Sequence, residues 1–325
     1  MQRTRSVVAA LAGVPFGLIY GITARIAFGN DQFPGYFSTM SVAFLFLVPL
    51  VVGALTVGLA PAQQRRSWVY AICMPLASCG IALLVIGALA WEVLICLVMA
   101  APIVAAMGSL GGVLVCALAR SRAKRDGITT NATLIGVLLL SPYVGGLVER
   151  RIPTEARSVD TQTQITIRAS PEVVWRNIVR VPRIRPEERS FSLLFDLFGA
   201  PRPLEAMLEQ EGQGGLRRGM FEDNLVFLEQ ISGWEPGRRI EWAISTGDRA
   251  AVPAPWNEIG GRYFAVTGAG YWIEPIDAGT VVLHLDSTVR LTTHFNGYAA
   301  LWARWGLGEF QGQVLRVIKA RAEAG

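Results

Sequence analysis

The first 150 residues allow few environments. Five apolar runs, residues 6–28, 37–60, 68–90, 93–119 and 132–148, dominate them, and crossing a bilayer as a helix takes about 20 such residues. Basic residues sit between the runs. Arg3 and Arg5 precede the first, Arg65 and Arg66 divide the second from the third, and Arg120, Arg122, Lys124 and Arg125 divide the fourth from the fifth. The alternate loops, GNDQFPGY and WE, hold none, and only Arg150 and Arg151 dissent. Because basic loops stay on the cytoplasmic side, the N-terminus is expected in the cytoplasm. An odd number of spans then carries the rest of the chain outside it, as in a multi-pass protein of a bacterial inner membrane. Without the fifth and shortest run, that conclusion inverts. The first run follows two arginines, as in a signal peptide, but it is long and no small-x-small cleavage site follows, so an uncleaved span is expected.

Charge divides at the same place. Up to Thr154 there are eleven Lys/Arg against four Asp/Glu, and from Glu155 onward nineteen against twenty-one, so the first half alone makes the chain basic. Basic residues set between apolar runs orient helices and do not make a nucleic-acid footprint, so no nucleic-acid partner is expected. Cys73, Cys79, Cys96 and Cys116 all lie inside apolar runs without metal-ligand spacing and read as small buried hydrophobes. The cores of the runs hold no ionisable residue, which argues against an ion-coupled pump. Arg25 and Glu92 lie at run ends, where Arg25 has room to snorkel. Each run carries one proline: Pro15, Pro49, Pro75, Pro102 and Pro142. Ala9, Gly13, Gly17 and Gly21, and again Gly108 and Gly112, recur every four residues, giving narrow faces for contact within the bundle, in a homo-oligomer, or with a lipid or membrane-protein partner.

After a polar linker, residues 150–160, the pattern changes to that of a soluble α+β domain over residues 161–325. QITIRA alternates Ile165 and Ile167 with polar residues, as a half-buried strand does. Ser170, Pro171 and Glu172 form a helix start with serine in the N-cap position. NLVFLEQISGWEPGRRIEWAIST reads as a hairpin turning at Glu235, Pro236 and Gly237. VVLHLD places Val281, Leu283 and Leu285 on one face, and a long helix over about 297–322 closes the chain.

The stretches ITIRASPEVVWRNI, GWEPGRRIEWAI and YWIEPIDAGTVVLHLDSTVRL, in this order ahead of the terminal helix, resemble the START-like superfamily with its polyketide cyclase/dehydrase and lipid-transport members. The resemblance covers about 161–324 and nothing earlier. It implies a helix-grip fold, a curved antiparallel sheet around the terminal helix, with an apolar cavity between them for a lipid, sterol, polyketide or similar molecule. On that fold Ile240, Trp242, Ile244, Phe264, Val266, Leu283 and Leu285 on strands, and Tyr298, Leu301, Trp302 and Trp305 on the helix, are expected to face inward. They either line a ligand cavity or fill it themselves. Trp175 is expected to fix the first helix to the sheet. Residues 189–208, with Phe191, Leu194, Phe195 and Phe198, read as a short amphipathic helix that lies in headgroups, caps the cavity mouth, or packs on the core. With Trp256 in the Pro- and Gly-rich loop 248–263, Phe191, Phe195 and Phe198 are the expected cavity entrance.

Chemistry is less visible. The superfamily also includes oxygenases with two His and a carboxylate on iron, but His284 and Asp286 lie on the polar face of a strand, expected to meet solvent, and no Cys/His cluster accompanies them or His294. No metal and no cofactor is expected. GQGG, residues 212–215, lacks the context and lysine of a phosphate loop, and no nucleophile elbow exists. The inward positions are nearly all apolar, with Tyr298 the one hydroxyl. The resulting reading is a membrane-anchored START-like binder of a lipid or other hydrophobic small molecule, for transfer or sensing, with no catalytic residue assigned. A non-catalytic subunit that scaffolds a membrane-protein partner and a membrane-tethered cyclase or lipid-modifying enzyme are the alternatives.

Overall fold

A computed structural model describes residues 13–29, 38–122 and 132–325, with backbone alone for 122 and 132–135. Arg3, Arg5, Ala9, Lys124 and Arg125 lie outside the described residues. The chain forms two compact units, Met1–Pro153 and Thr154–Gly325.

In the first unit, apolar sequence becomes helix: α1 (Val14–Phe28), α2 (Val48–Gly58, continuing a π-helical turn at Ala43–Leu47), α3 (Trp68–Ala88), α4 (Leu94–Arg122) and α5 (Ala132–Glu149). Two helices, α3 and α4, are long and apolar enough to cross a membrane. The segments Val14–Phe28, Ala43–Gly58 and Gly136–Glu149 are shorter apolar helices. Two of the five expected spans therefore reach spanning length among the described residues. The packing is that of a bundle around α2, which is buried from Val51 to Val57. Glycines make this possible. A Cβ at Gly53 would lie 1.8 Å from the Gly108 carbonyl oxygen, and one at Gly111 2.0 Å from that of Leu50. Gly13 and Gly17 press likewise on Thr56, and Gly112 on Ala71, so the predicted glycine faces are used between helices of the same chain. Outward positions carry large apolar side chains, among them Ile19, Leu84 (74% exposed) and Leu140.

Polar groups mark the two ends of this bundle. Arg120 donates to the Arg66 carbonyl (2.8 Å) and covers the Trp68 ring. At the other end Arg25, expected to snorkel alone, is paired with Glu92 (2.7 Å) and also donates to the Trp91 carbonyl. The Glu149 carboxylate, at the end of α5, accepts the Val42 and Ala43 amides at 2.8 and 3.0 Å. These contacts satisfy two of the orphan donors at the start of a helix.

The second unit opens with β1 (Arg157–Ile167), which begins within the stretch read as linker, and α6 (Pro171–Val179). Ser170 holds the N-cap position of α6, but its side chain caps no backbone amide. Six more strands follow: β2 (Pro203–Leu208), β3 (Leu216–Phe221), β4 (Val226–Glu235), β5 (Arg239–Thr246), β6 (Phe264–Asp277) and β7 (Thr280–Leu291). They form one antiparallel sheet in the order β1-β7-β6-β5-β4-β3-β2. It curls into a half-barrel against the terminal helix α7 (Asn296–Glu323). The turn at Gly237 is in place between β4 and β5. Residues 189–208 do not form the expected helix. Only Leu193–Leu197 coils, as a π turn, and Pro203–Leu208 is the edge strand. GQGG is the loop joining β2 to β3, with Gly212 and Gly214 at φ +91° and +83°, a region that favours glycine.

Two polar clamps hold α7. Gln311, fully buried, accepts the Thr163 hydroxyl (2.7 Å) and donates to the Thr161 carbonyl (3.0 Å) and Ser287 Oγ (2.9 Å). Nearer its C-terminus, Arg321 pairs with both oxygens of Glu188 and donates to the Pro182 and Arg183 carbonyls. The Arg321 hydrogen bonds hold the Glu188 carboxyl at about 2, against burial.

Two predictions test this architecture. Gly53→Ala should destabilise the detergent-purified chain by about 1–3 kcal/mol through overpacking, whereas Gly80→Ala, where an added Cβ meets nothing within 4 Å, should be neutral or stabilising in the same thermal melt. Because the pKa of Glu188 is lowered on folding, its stabilisation is present above the ordinary carboxylate value and is lost as pH falls towards 2. Glu188→Gln should flatten the acid limb of stability against pH between about 4.5 and 2. An unchanged acid limb would rule the clamp out as its source.

Candidate functional site

Side chains at alternate positions of the strands point to the concave face, and the Gln311 clamp divides that face in two. Towards the C-terminus of α7, Val314, Leu315, Ile318 and Ala322 interlock with Ile167, Ile178, Ile240, Ile273 and Leu283. Trp242 and Leu285 belong to this closed core, and Trp175 packs at its margin, edge-on to Trp234 at 5.1 Å. Towards the N-terminus of α7 the helix offers the small residues Ala300 and Ala303, with Leu307, to Val159, Val289 and Leu291. Here Phe264, Val266 and Ile244 are only partly buried. A Cβ at Gly306, on the same stretch of helix, meets nothing within 4 Å.

The helix residues expected inward are on another side. Leu301 is 62% exposed. Tyr298, Trp302 and Trp305 are half-buried and form an edge-to-face series with centroids 6.4 and 6.0 Å apart. Trp305 lies about 200° round the helix from Leu307, which is why the heavier residues turn out and the alanines turn in.

What the sequence concealed is charge. Arg217 on β3 and Glu229 on β4 are directly opposed, both buried, and paired on the concave face. The guanidinium also donates to the Ile178 carbonyl (3.2 Å) and lies 4.7 Å from the centre of the Trp242 ring. Tyr271 meets Trp242 edge-on at 5.6 Å, and burial pushes its phenol far up, so it stays protonated. The interior is therefore not nearly all apolar, as expected. The β3 sequence LRRGMF hides an inward arginine behind an outward one. Among the described residues, Arg217 Nε, Trp242 Nε1 and Thr161 Oγ1 are buried without a hydrogen-bond partner, and unsatisfied interior donors of this kind are rare.

The expected entrance residues separate. Trp256 is half-buried, packing with Val252 and Phe227 over one end of the sheet. Phe198 is half-buried against Trp305 at 5.7 Å. Phe195 is buried beneath the Arg202 guanidinium and has no open side, whereas Phe191 is 75% exposed.

On the convex face His284 does not meet solvent as expected. It is buried under Trp272 (ring centroids 4.5 Å) with Nε2 3.1 Å from Glu274. Burial pushes the neighbouring Asp286 carboxyl up. His294 lies elsewhere, with Nε2 3.5 Å from the Thr154 hydroxyl. Among the described residues no group of three or more His, Cys, Asp and Glu is placed to hold a metal ion.

Solved structures, among them START superfamily and aromatase/cyclase proteins, are similar to this half. A START superfamily protein from Mycobacterium smegmatis is 14% identical with a TM-score of 0.34, covering 51% of this chain and 97% of its own. A Streptomyces aromatase/cyclase is 15% identical with a TM-score of 0.32, covering 52% and 94%. A protein from Arthrobacter aurescens is 17% identical with a TM-score of 0.33, covering 51% and 87%. These matches lie over the C-terminal part, and the N-terminal part is unmatched. Likeness at this level carries no functional argument. No family model matches the sequence, and no curated protein does.

Removing one partner of a buried ion pair strands the other charge, so Glu229→Gln should cost about 3–5 kcal/mol. The double replacement Arg217→Met with Glu229→Leu should cost markedly less than the two single changes together. Equal and additive losses in denaturant titrations would show that the two charges do not act as a pair.

Proposed function

We propose that the protein is a membrane-anchored binder of an amphiphilic molecule with a large apolar body, held between the sheet and the N-terminal half of α7. The observation that carries this reading is the pair of unpartnered N–H donors, Arg217 Nε and Trp242 Nε1, side by side on the concave face. A ligand with an oxygen acceptor at one end would satisfy them and place its apolar part along Ile244, Phe264 and Val266. Burying such donors without an acceptor costs about 1–3 kcal/mol each.

Anchoring is supported by the apolar exterior of the first unit, which water would penalise. All five apolar helices are taken to cross the membrane, in the inner membrane of a bacterium. The end of the bundle bearing Arg66 and Arg120 is then cytoplasmic, and α5 leaves from the opposite end, where Glu149 meets Val42. That would put the second unit outside the cytoplasm, positioned to take its ligand from the bilayer or deliver it.

Inward ionisable groups also suit a tethered cyclase, the second reading. Their state favours binding. Glu229 is engaged in an ion pair with Arg217, and burial keeps Tyr271 protonated, so Tyr271 is no base near neutral pH.

The test is to purify the full chain in mild detergent and analyse organic extracts by mass spectrometry. A single amphiphile near one equivalent is expected. Trp242→Phe, which removes one donor, should lower its retention about fivefold, the equivalent of one hydrogen bond. A clean extract, together with no uptake of a dansyl-labelled fatty acid, would end the proposal. A fixed protein partner in place of the amphiphile would favour a scaffolding subunit.

A further inference from the structure

We propose that the outer side of α7 near its N-terminus, together with residues 191–198, is a surface that docks into a lipid bilayer. The inference rests on the membrane-anchored part of the reading above, not on the identity of the ligand. Leu301, Phe191, Leu193 and Leu197 are exposed by 62, 75, 43 and 53%. Between them the rings of Trp302, Trp305 and Phe198 run as a continuous series. The two segments are fastened together where the Ser192 hydroxyl donates to Glu309 (2.6 Å). They therefore present one surface. Arg304, exposed three residues from Leu301 along the helix, adds a cation beside it.

Large aliphatic residues left in water, tryptophans at their edge and an arginine alongside are what a headgroup boundary selects. The occupant is taken to be a bilayer because the same chain carries α3 and α4, each of membrane-crossing length. Only residues 150–156 separate α5 from β1, and seven residues span at most about 25 Å. The inner side of this half of α7 carries Ala300, Ala303 and Leu307 opposite the partly buried Phe264 and Val266. Docking would thus bring the Phe264 and Val266 end of the concave face to the lipid.

The full chain is placed in nanodiscs containing increasing fractions of dibrominated phosphatidylcholine, and tryptophan emission is compared with that of Trp302→Phe/Trp305→Phe. The wild-type minus variant emission should be quenched at least about twofold, rising in proportion to the brominated fraction. Leu301→Glu, at an exposed position, should abolish that quenching without lowering the yield of folded protein. Emission from the two tryptophans that is indifferent to bromine overturns the proposal. So does quenching that saturates at one brominated lipid per protein, which marks a bound lipid, or shielding from acrylamide that persists in detergent as a dimer. Loss of docking with the co-purifying amphiphile retained would leave the binding reading intact.

Discussion

The second unit depends on one side chain that has no alternative partner. Gln311 is sealed from water, and its amide is satisfied by a hydroxyl of β1, a carbonyl of β1 and a hydroxyl of β7. Hydrophobic contacts alone would let α7 slide or rotate over a smooth sheet. An amide that must keep three directional bonds fixes both its position and its rotation. The branched residues from Val314 onward can then close one half of the core, while Ala300, Ala303 and Leu307 meet Val159, Val289 and Leu291 in the other.

The first unit solves a different problem. In the proposed lipid setting, helices that are apolar on every side would gain little hydrophobic free energy from pairing, so contact distance has to hold them together. Backbone approaches at Gly53, Gly108 and Gly111 provide that contact around α2. The few polar groups are then free to set the ends: Arg120 at one, Arg25, Glu92 and Glu149 at the other.

The fold was legible wherever periodicity was strong. The alternation of β7, the turn at Gly237 and the extent of α7 were visible because each repeats a simple rule. The edge strand β2 was not, since PLEAML has no alternation and follows a leucine- and phenylalanine-rich stretch. Along α7, hydrophobicity pointed the wrong way: Trp302 and Trp305 suggested the inner side, but inner positions needed alanine to fit beneath the sheet. The inward pair Arg217 and Glu229 was invisible for a related reason. Each looks like an ordinary surface charge until the register of β3 on β4 sets them face to face. His284 shows the converse, a residue on the solvent-side face that is nonetheless covered, by an indole on the next strand.

For the proposed ligand, a wall containing a fixed guanidinium and carboxylate would also set a rule of exclusion. Plain hydrocarbon offers no oxygen to that corner and would leave its donors stranded, so tail length alone makes a poor credential for entry. Selection would act first on the chemistry at one terminus of a guest and only afterwards on its bulk.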